Sequence, residues 1–174
     1  QAVSAETGEI IYTIPFTSLI SAPVFSANYG FVNDNGILKK FHISTGKISS
    51  DFEKKLLKKS SLLILPSAII AQLPTQEIAA LDPESGHILW KTRPCDLSRP
   101  PSCTNDILLV SIKDGAHAEK IVAFNLADGS IKWSLNKSIL NLSLTHDLSV
   151  HEKFSILNAT ITSTDKKKQT VLAR

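Results

Sequence analysis

The sequence predicts an all-β protein, a β-propeller with about four blades of four antiparallel strands present. Three observations predict it. First, "ALDPESGHILW" (80–90) and "AFNLADGSIKW" (123–133) coincide at Ala80/Ala123, Asp82/Asn125, Gly86/Gly129 and Trp90/Trp133. Second, with two weaker copies, Gly8, Gly46, Gly86 and Gly129 lie 38, 40 and 43 residues apart, a period that suits blades of four strands. Third, the apolar runs between them are about five residues long, the usual length of a strand.

The elements follow in order. Residues 1–15 read as the last hairpin of one blade, because "AVSAETGEIIYTI" puts Ala2, Thr7, Gly8 and Tyr12 in register, with Tyr where the other copies have Trp. Residues 16–53 read as a full blade. "FVNDNGILKKFHI" holds two short runs around Asn35-Gly36, the strongest short-range hairpin signal. "KFHISTGKISSDF" then aligns Thr45 and Gly46 and leaves Ser50 at the aromatic position. Residues 54–93 read as the next blade, with "IIAQLPTQEIAALD" as two runs around a Pro-polar turn. "DFEKKLLKKSSLL" comes closest to helical periodicity and admits one short turn or helix. Residues 94–136 repeat the pattern with a longer turn in "ILLVSIKDGAHAEKIVAFN". Residues 137–174 read as an incomplete blade. The expectation is a partial propeller, part of a seven- or eight-bladed ring; the alternatives are a pair of copies sharing one ring and a small four-bladed ring closed by the N-terminal hairpin.

Composition narrows the functional classes. The 174 residues are 43% hydrophobic and 20% charged, as expected of a globular chain. The net charge of +3 is dispersed, and nucleic acid is not an expected partner. Lys54, Lys55, Lys58 and Lys59 form one local run and Lys166, Lys167 and Lys168 another; both read as a solvated loop or strand edge. No apolar stretch approaches the ~20 residues of a membrane helix, and Pro66 splits the most apolar one, "SLLILPSAIIAQL", into two buried strands. Cys95 and Cys103 bracket the Pro-rich "PCDLSRPPSC". They are a candidate disulfide, which would need an oxidising compartment, or two thiols. Two cysteines alone cannot fill a zinc site. No nucleophile elbow, P-loop or zinc-protease motif occurs, and no catalytic or metal-binding residue is assigned. Asp34 in "NDNG" reads as a turn residue rather than a calcium ligand. His146 and His151, near Asp147 and Glu152, read as exposed loop residues. Asn136, Asn141 and Asn158 begin glycosylation sequons, which matter only in a eukaryotic secretory setting.

The pattern Ala-x-Asp/Asn-x-x-Thr-Gly-x-x-x-Trp resembles the tryptophan-docking motif of quinoprotein-type (PQQ-like) β-propellers. Residues 80–90 match it with Ser85 in place of Thr, and residues 123–133 depart from it at Asp128. The spacing in "SAPVFSANYGFVNDNGILKKFHISTGK" resembles that of the BamB-type propellers of the outer-membrane β-barrel assembly machinery. The resemblance implies that Ala80, Asp82, Gly86, Trp90, Ala123, Asn125, Gly129 and Trp133 are structural. Each Trp would stack on the neighbouring blade beside a small Ala, contributing on the order of 1.5–3 kcal/mol. The Asp or Asn would bond the turn amides. It further implies a non-enzymatic protein-interaction scaffold without a cofactor, meeting protein partners through blade-connecting loops. Residues 93–104 and 113–119 are the loops of choice, since insertions in repeat proteins map to loops. The implied location is periplasmic or otherwise extracytoplasmic, with peripheral membrane association through a partner or a lipid anchor. Divergent propellers of this kind in the endoplasmic-reticulum lumen, in a membrane-protein insertion complex or stress sensors, are the alternative. A quinoprotein dehydrogenase fragment is third, because the adjacent cysteine pair and a Trp outside the motif are both missing.

Overall fold

The computed structural model describes residues 1–19, 21–103, 106–113 and 119–136, and beyond them the backbone of five strands between 142 and 171. Every regular element among the described residues is a β-strand. Gln1–Pro94 and Cys95–Arg174 form two compact units.

In the first unit, β1 (Ala2–Val3) and β2 (Ile10–Tyr12) form a hairpin. A four-stranded meander follows: β3 (Val24–Ser26), β4 (Tyr29–Asp34), β5 (Ile37–His42) and β6 (Ile48–Lys55). The second meander comprises β7 (Leu63–Ile64), β8 (Ile69–Gln72), β9 (Ile78–Leu81) and β10 (Ile88–Lys91). Between β4 and β5, Asn35 and Gly36 both have positive φ, 52° and 89°, the two-residue turn that matches strand twist. The short helix admitted within "DFEKKLLKKSSLL" is absent. Ile37, Leu38 and Lys39 pair with Lys55, Lys54 and Glu53, so the sheet ladder overrides a weak local periodicity.

The two meanders of this unit share one apolar core. Phe31, Leu38, Phe52 and Leu56 from the first pack with Leu62, Ile69, Ala71, Leu73, Ala79 and Leu81 from the second. All four residues of β8 and of β9 are buried, which is why these strands read as continuous apolar runs instead of alternating.

In the second unit, β11 (Ser102–Cys103), β12 (Ile107–Lys113), β13 (Glu119–Asn125) and β14 (Ile131–Asn136) form a third four-stranded sheet. The β12–β13 ladder runs from Ile107↔Asn125 to Lys113↔Glu119. Beyond it, β15 (Leu142–Ser143), β18 (Ala159–Thr162) and β19 (Lys168–Val171) make a three-stranded sheet, and β16 (Ser149–His151) pairs with β17 (Phe154–Ile156).

This unit corrects the expected disulfide: no bond joins Cys95 and Cys103. Asp96, next to Cys95, accepts from the amide of Lys113, whereas Cys103 pairs with Leu108. Five residues of β12 separate these two anchor points, about 16 Å of strand, far beyond the reach of a disulfide. Burial also pushes the Cys103 thiol up. The expected loop 93–104 is likewise partly sheet, since Leu97 bridges Ile112 and Ser98 donates to the Ser111 carbonyl.

The four motif turns are built alike. The glycine amide donates to the carbonyl four residues back: Gly8 to Ser4, Gly46 to His42, Gly86 to Asp82 and Gly129 to Asn125, at 2.8–2.9 Å. All four glycines have φ between 70° and 73°, a conformation that costs other residues. At the acceptor position, Asp82 Oδ1 takes the amides of Glu84 and Ser85, both at 2.8 Å, while Ser4 Oγ and Asn125 Oδ1 serve their own turns. The position before glycine needs only an oxygen that accepts two residues ahead. Thr7, Thr45 and Ser85 use a hydroxyl, and Asp128 uses a carboxylate on the Ser130 amide. Asp128 is therefore a functional equivalent of Thr in the turn.

The Ser85 and Glu84 amides hold the Asp82 carboxyl below the usual carboxylate range. Its folded value thus lies below its unfolded value of about 3.9. The stabilisation is present above that unfolded value and is lost as pH falls through the folded one. Asp82→Ala should cost about 1 kcal/mol at neutral pH. Asp82→Asn, the residue that stands at 125, should retain most of it and lose this acid dependence. Denaturant midpoints measured from neutral pH down through the carboxylate range check both.

Candidate functional site

The motif residues meet where one strand group of the first unit rests on the next. The Tyr12 ring lies against Gly46, where a Cβ would collide with it, and its hydroxyl donates to the Ile43 carbonyl. The Phe52 ring lies against Gly86, where a Cβ would come within 3.3 Å. In both cases the aromatic of one sheet covers the glycine turn of the following sheet.

Phe52 is a residue that sequence reasoning missed. Aligning by count put Ser50 at the aromatic position. The β5–β6 register shifts between Lys39↔Glu53 and Phe41↔Ile48, a bulge larger by two residues than the shift preceding Trp90↔Ala80 and Trp133↔Ala123. Continuing the outer register places Phe52 opposite Lys40, as Trp90 stands opposite Ala80. The signal was an apolar aromatic two residues late in an otherwise polar run.

The same copy has Lys40 where the others have Ala80 and Ala123. Lys40 is 5% exposed. Its ammonium donates to the carbonyls of Pro83 and Glu84 at 3.0 and 3.4 Å and pairs with the Glu84 carboxylate at 3.0 Å. It also lies 4.1 Å from the Tyr29 ring centroid and 5.3 Å from that of Phe52. A buried cation is tolerable only when hydrogen-bonded and paired in this way. Here it fixes the turn that Phe52 covers.

The other assigned residues lie as follows. Ala80 and Ala123 are fully buried and Trp90 is 9% exposed. Trp133 is 37% exposed, less buried than the expected docking of its ring. Asp34 closes the Asn35-Gly36 turn opposite Ile37 and is also a buried clamp. It accepts from the Ser18 amide at 2.7 Å and pairs with Lys39 at 2.8 Å. Burial alone would raise its carboxyl, but those hydrogen bonds hold it below the ordinary range. His146, Asp147, Glu152 and residues 114–118 lie outside the described residues, and His151 is described by its backbone only.

The β6 bulge also opens a cleft of about 350 Å³ lined by Tyr29, His42, Thr45, Lys47, Ile48 and residues 49–51. Tyr29 and His42 meet edge to face at 5.5 Å, and Nδ1 of His42 is engaged by the Ser44 hydroxyl and amide. The walls offer hydroxyls, an amine and a carboxylate suited to hydrogen bonding. No group of three His, Cys, Asp or Glu that could hold a metal occurs among the described residues.

Phe52→Ala and Trp90→Ala should each cost about 3–5 kcal/mol, whereas Ser50→Ala should stay within about 0.5 kcal/mol. Equilibrium unfolding of the three variants checks which residue of the second copy carries the contact.

Comparison with known proteins agrees with this architecture. No curated protein matches the chain. BamB from Moraxella catarrhalis is similar at 19% identity over 62% of this chain and 34% of its own, with a TM-score of 0.49. A europium-containing methanol dehydrogenase is similar at 14% identity over 74% of this chain and 27% of its own, with a TM-score of 0.59. The computationally designed Ika4 protein is similar at 13% identity over 95% of this chain and 99% of its own, with a TM-score of 0.55. The chain thus spans about a third of the BamB structure it matches. Residues 66–164, more than half of the chain, match the family described as outer membrane protein assembly factor BamB, and with its PQQ-like repeats the chain belongs to that family.

Proposed function

We propose that the protein is a non-enzymatic interaction scaffold acting in an extracytoplasmic compartment, in support of outer-membrane protein assembly. The family match over residues 66–164 carries this reading. The use of the motif residues supports it. Gly46, Gly86, Phe52, Lys40 and Asp82 are engaged in holding sheets and turns together, so the repeated positions are structural and recognition falls to the loops and strand edges between them. The partner is a protein component of the assembly apparatus, and any association with the membrane runs through that partner or a lipid anchor.

Removing the gene from its source organism tests the role. Folded outer-membrane barrel proteins should decline several-fold, and the tagged protein should fractionate outside the cytoplasm and cross-link to assembly components. Unchanged barrel levels together with a cytoplasmic location would sink the proposal. A quinone absorbance on the purified protein would replace it with the dehydrogenase reading.

A further inference from the structure

We propose that the lysine-bearing connection between β6 and β7 docks an acidic, extended segment of a partner protein. This rests on the scaffold reading and names the chemistry that its partner would present.

The connection is at the end of the two meanders that carries the β4–β5 turn. Leu56 donates to the Gly36 carbonyl and Leu57 to that of Gln72, which ties both sheets to it. Asn33, fully buried, organises it from within. Its Oδ1 accepts from the Gly36 amide, and its Nδ2 donates to the carbonyls of Ser60 at 2.9 Å and of Leu57 and Lys58 at 3.3 Å. The buried Ser60 hydroxyl accepts from the Gln72 amide at 2.7 Å. Buried Leu56 and Leu62 pin the two flanks. Residues 56–60 are therefore held in one shape before any partner arrives, which lowers the ordering cost of binding.

The charges on this frame are unbalanced. In the same unit Lys39, Lys40 and Lys91 are paired with Asp34, Glu84 and Glu77. Lys54, Lys55, Lys58 and Lys59 form no ion pair among the described residues, and Lys55, Lys58 and Lys59 are exposed. Arg93, exposed beyond β10, adds a fifth cation at this end, because neighbouring Thr92 donates to the Ile78 carbonyl at the β8–β9 turn. The acids here are Asp34 and Glu77, both already paired, and exposed Glu53 opposite Lys39.

A strand edge distinguishes an acidic chain from a charged membrane as the occupant. The sheet ends at β6. Leu56 bonds toward β5, so antiparallel alternation turns the amides of Glu53 and Lys55 outward. An extended peptide satisfies such amides by adding a strand. Its carboxylates would then meet the four lysines and Arg93. A lipid surface offers the charge but no strand.

The test uses the full chain and a fluorescein-labelled peptide of about eight Glu-Val repeats, read by anisotropy. Binding should be saturable at about 50 mM NaCl and should weaken several-fold at about 300 mM. Replacing Lys54, Lys55, Lys58 and Lys59 by Gln should weaken it about ten-fold, as expected of a few exposed ion pairs, with the melting temperature unchanged. Lys58→Gln/Lys59→Gln alone serves should the fourfold variant unfold. Absent peptide binding, binding unchanged in the variants, or stronger lysine-dependent binding to phosphatidylglycerol vesicles than to the peptide would overturn the proposal. If the peptide binds through these lysines but barrel assembly does not need the gene, the acidic-segment site stands and the cellular role falls. If assembly needs the gene but not the lysines, the reverse holds.

Discussion

A four-stranded sheet cannot bury both of its faces by itself, and in the first unit one contact answers that constraint: an aromatic ring laid over the glycine turn of the next sheet. The contact ties several sequence choices together. The receiving residue must be glycine for two reasons, its positive φ and the ring pressed against it, as Tyr12 is on Gly46 and Phe52 on Gly86. The turn must be rigid, so a carbonyl four residues back and a side-chain oxygen hold its amides. Phe31 and Phe52 of the first meander meet at 5.6 Å within the core that the two meanders share.

The second motif copy shows how the contact survives irregularity. A bulge in β6 delays the aromatic to Phe52, and the small residue opposite becomes Lys40. Bulges re-aim side chains and increase local twist; this one returns an aromatic to the docking position and opens a polar cleft beside it. The lysine finds two carbonyls, a carboxylate and a ring face in place of the close packing that alanine allows. The two departures meet in space, with the Lys40 ammonium 5.3 Å from the Phe52 ring centroid.

Structure and recognition divide along the same line. In the first unit, the recurring glycines Gly46 and Gly86 are occupied in joining sheets. Residues that do not recur, such as Asn33 and the lysines after β6, shape the ends and edges. Loops and edges carried on a rigid scaffold are where binding groups tend to concentrate.

Sequence by itself determined the all-β class, the period near forty residues and the glycine turns, because these rest on local chemistry: apolar runs of strand length, Asn35-Gly36, and a glycine four residues beyond an acceptor. It also carried the PQQ-like family through the spacing of Ala, Asp, Gly and Trp. Only the tertiary structure decided the rest. Counting along the chain selected Ser50, but strand register selected Phe52, since a bulge changes which residues face each other without changing the local signal. Proximity along the chain suggested a bond between Cys95 and Cys103, but pairing with β12 carries them apart. Asp34 reads as a turn residue, and the structure adds Ser18 and Lys39, distant or unremarkable in sequence, as its partners. In each case the deciding partner lies across a ladder or a turn, and such partners are set by register and packing, which one-dimensional spacing does not encode.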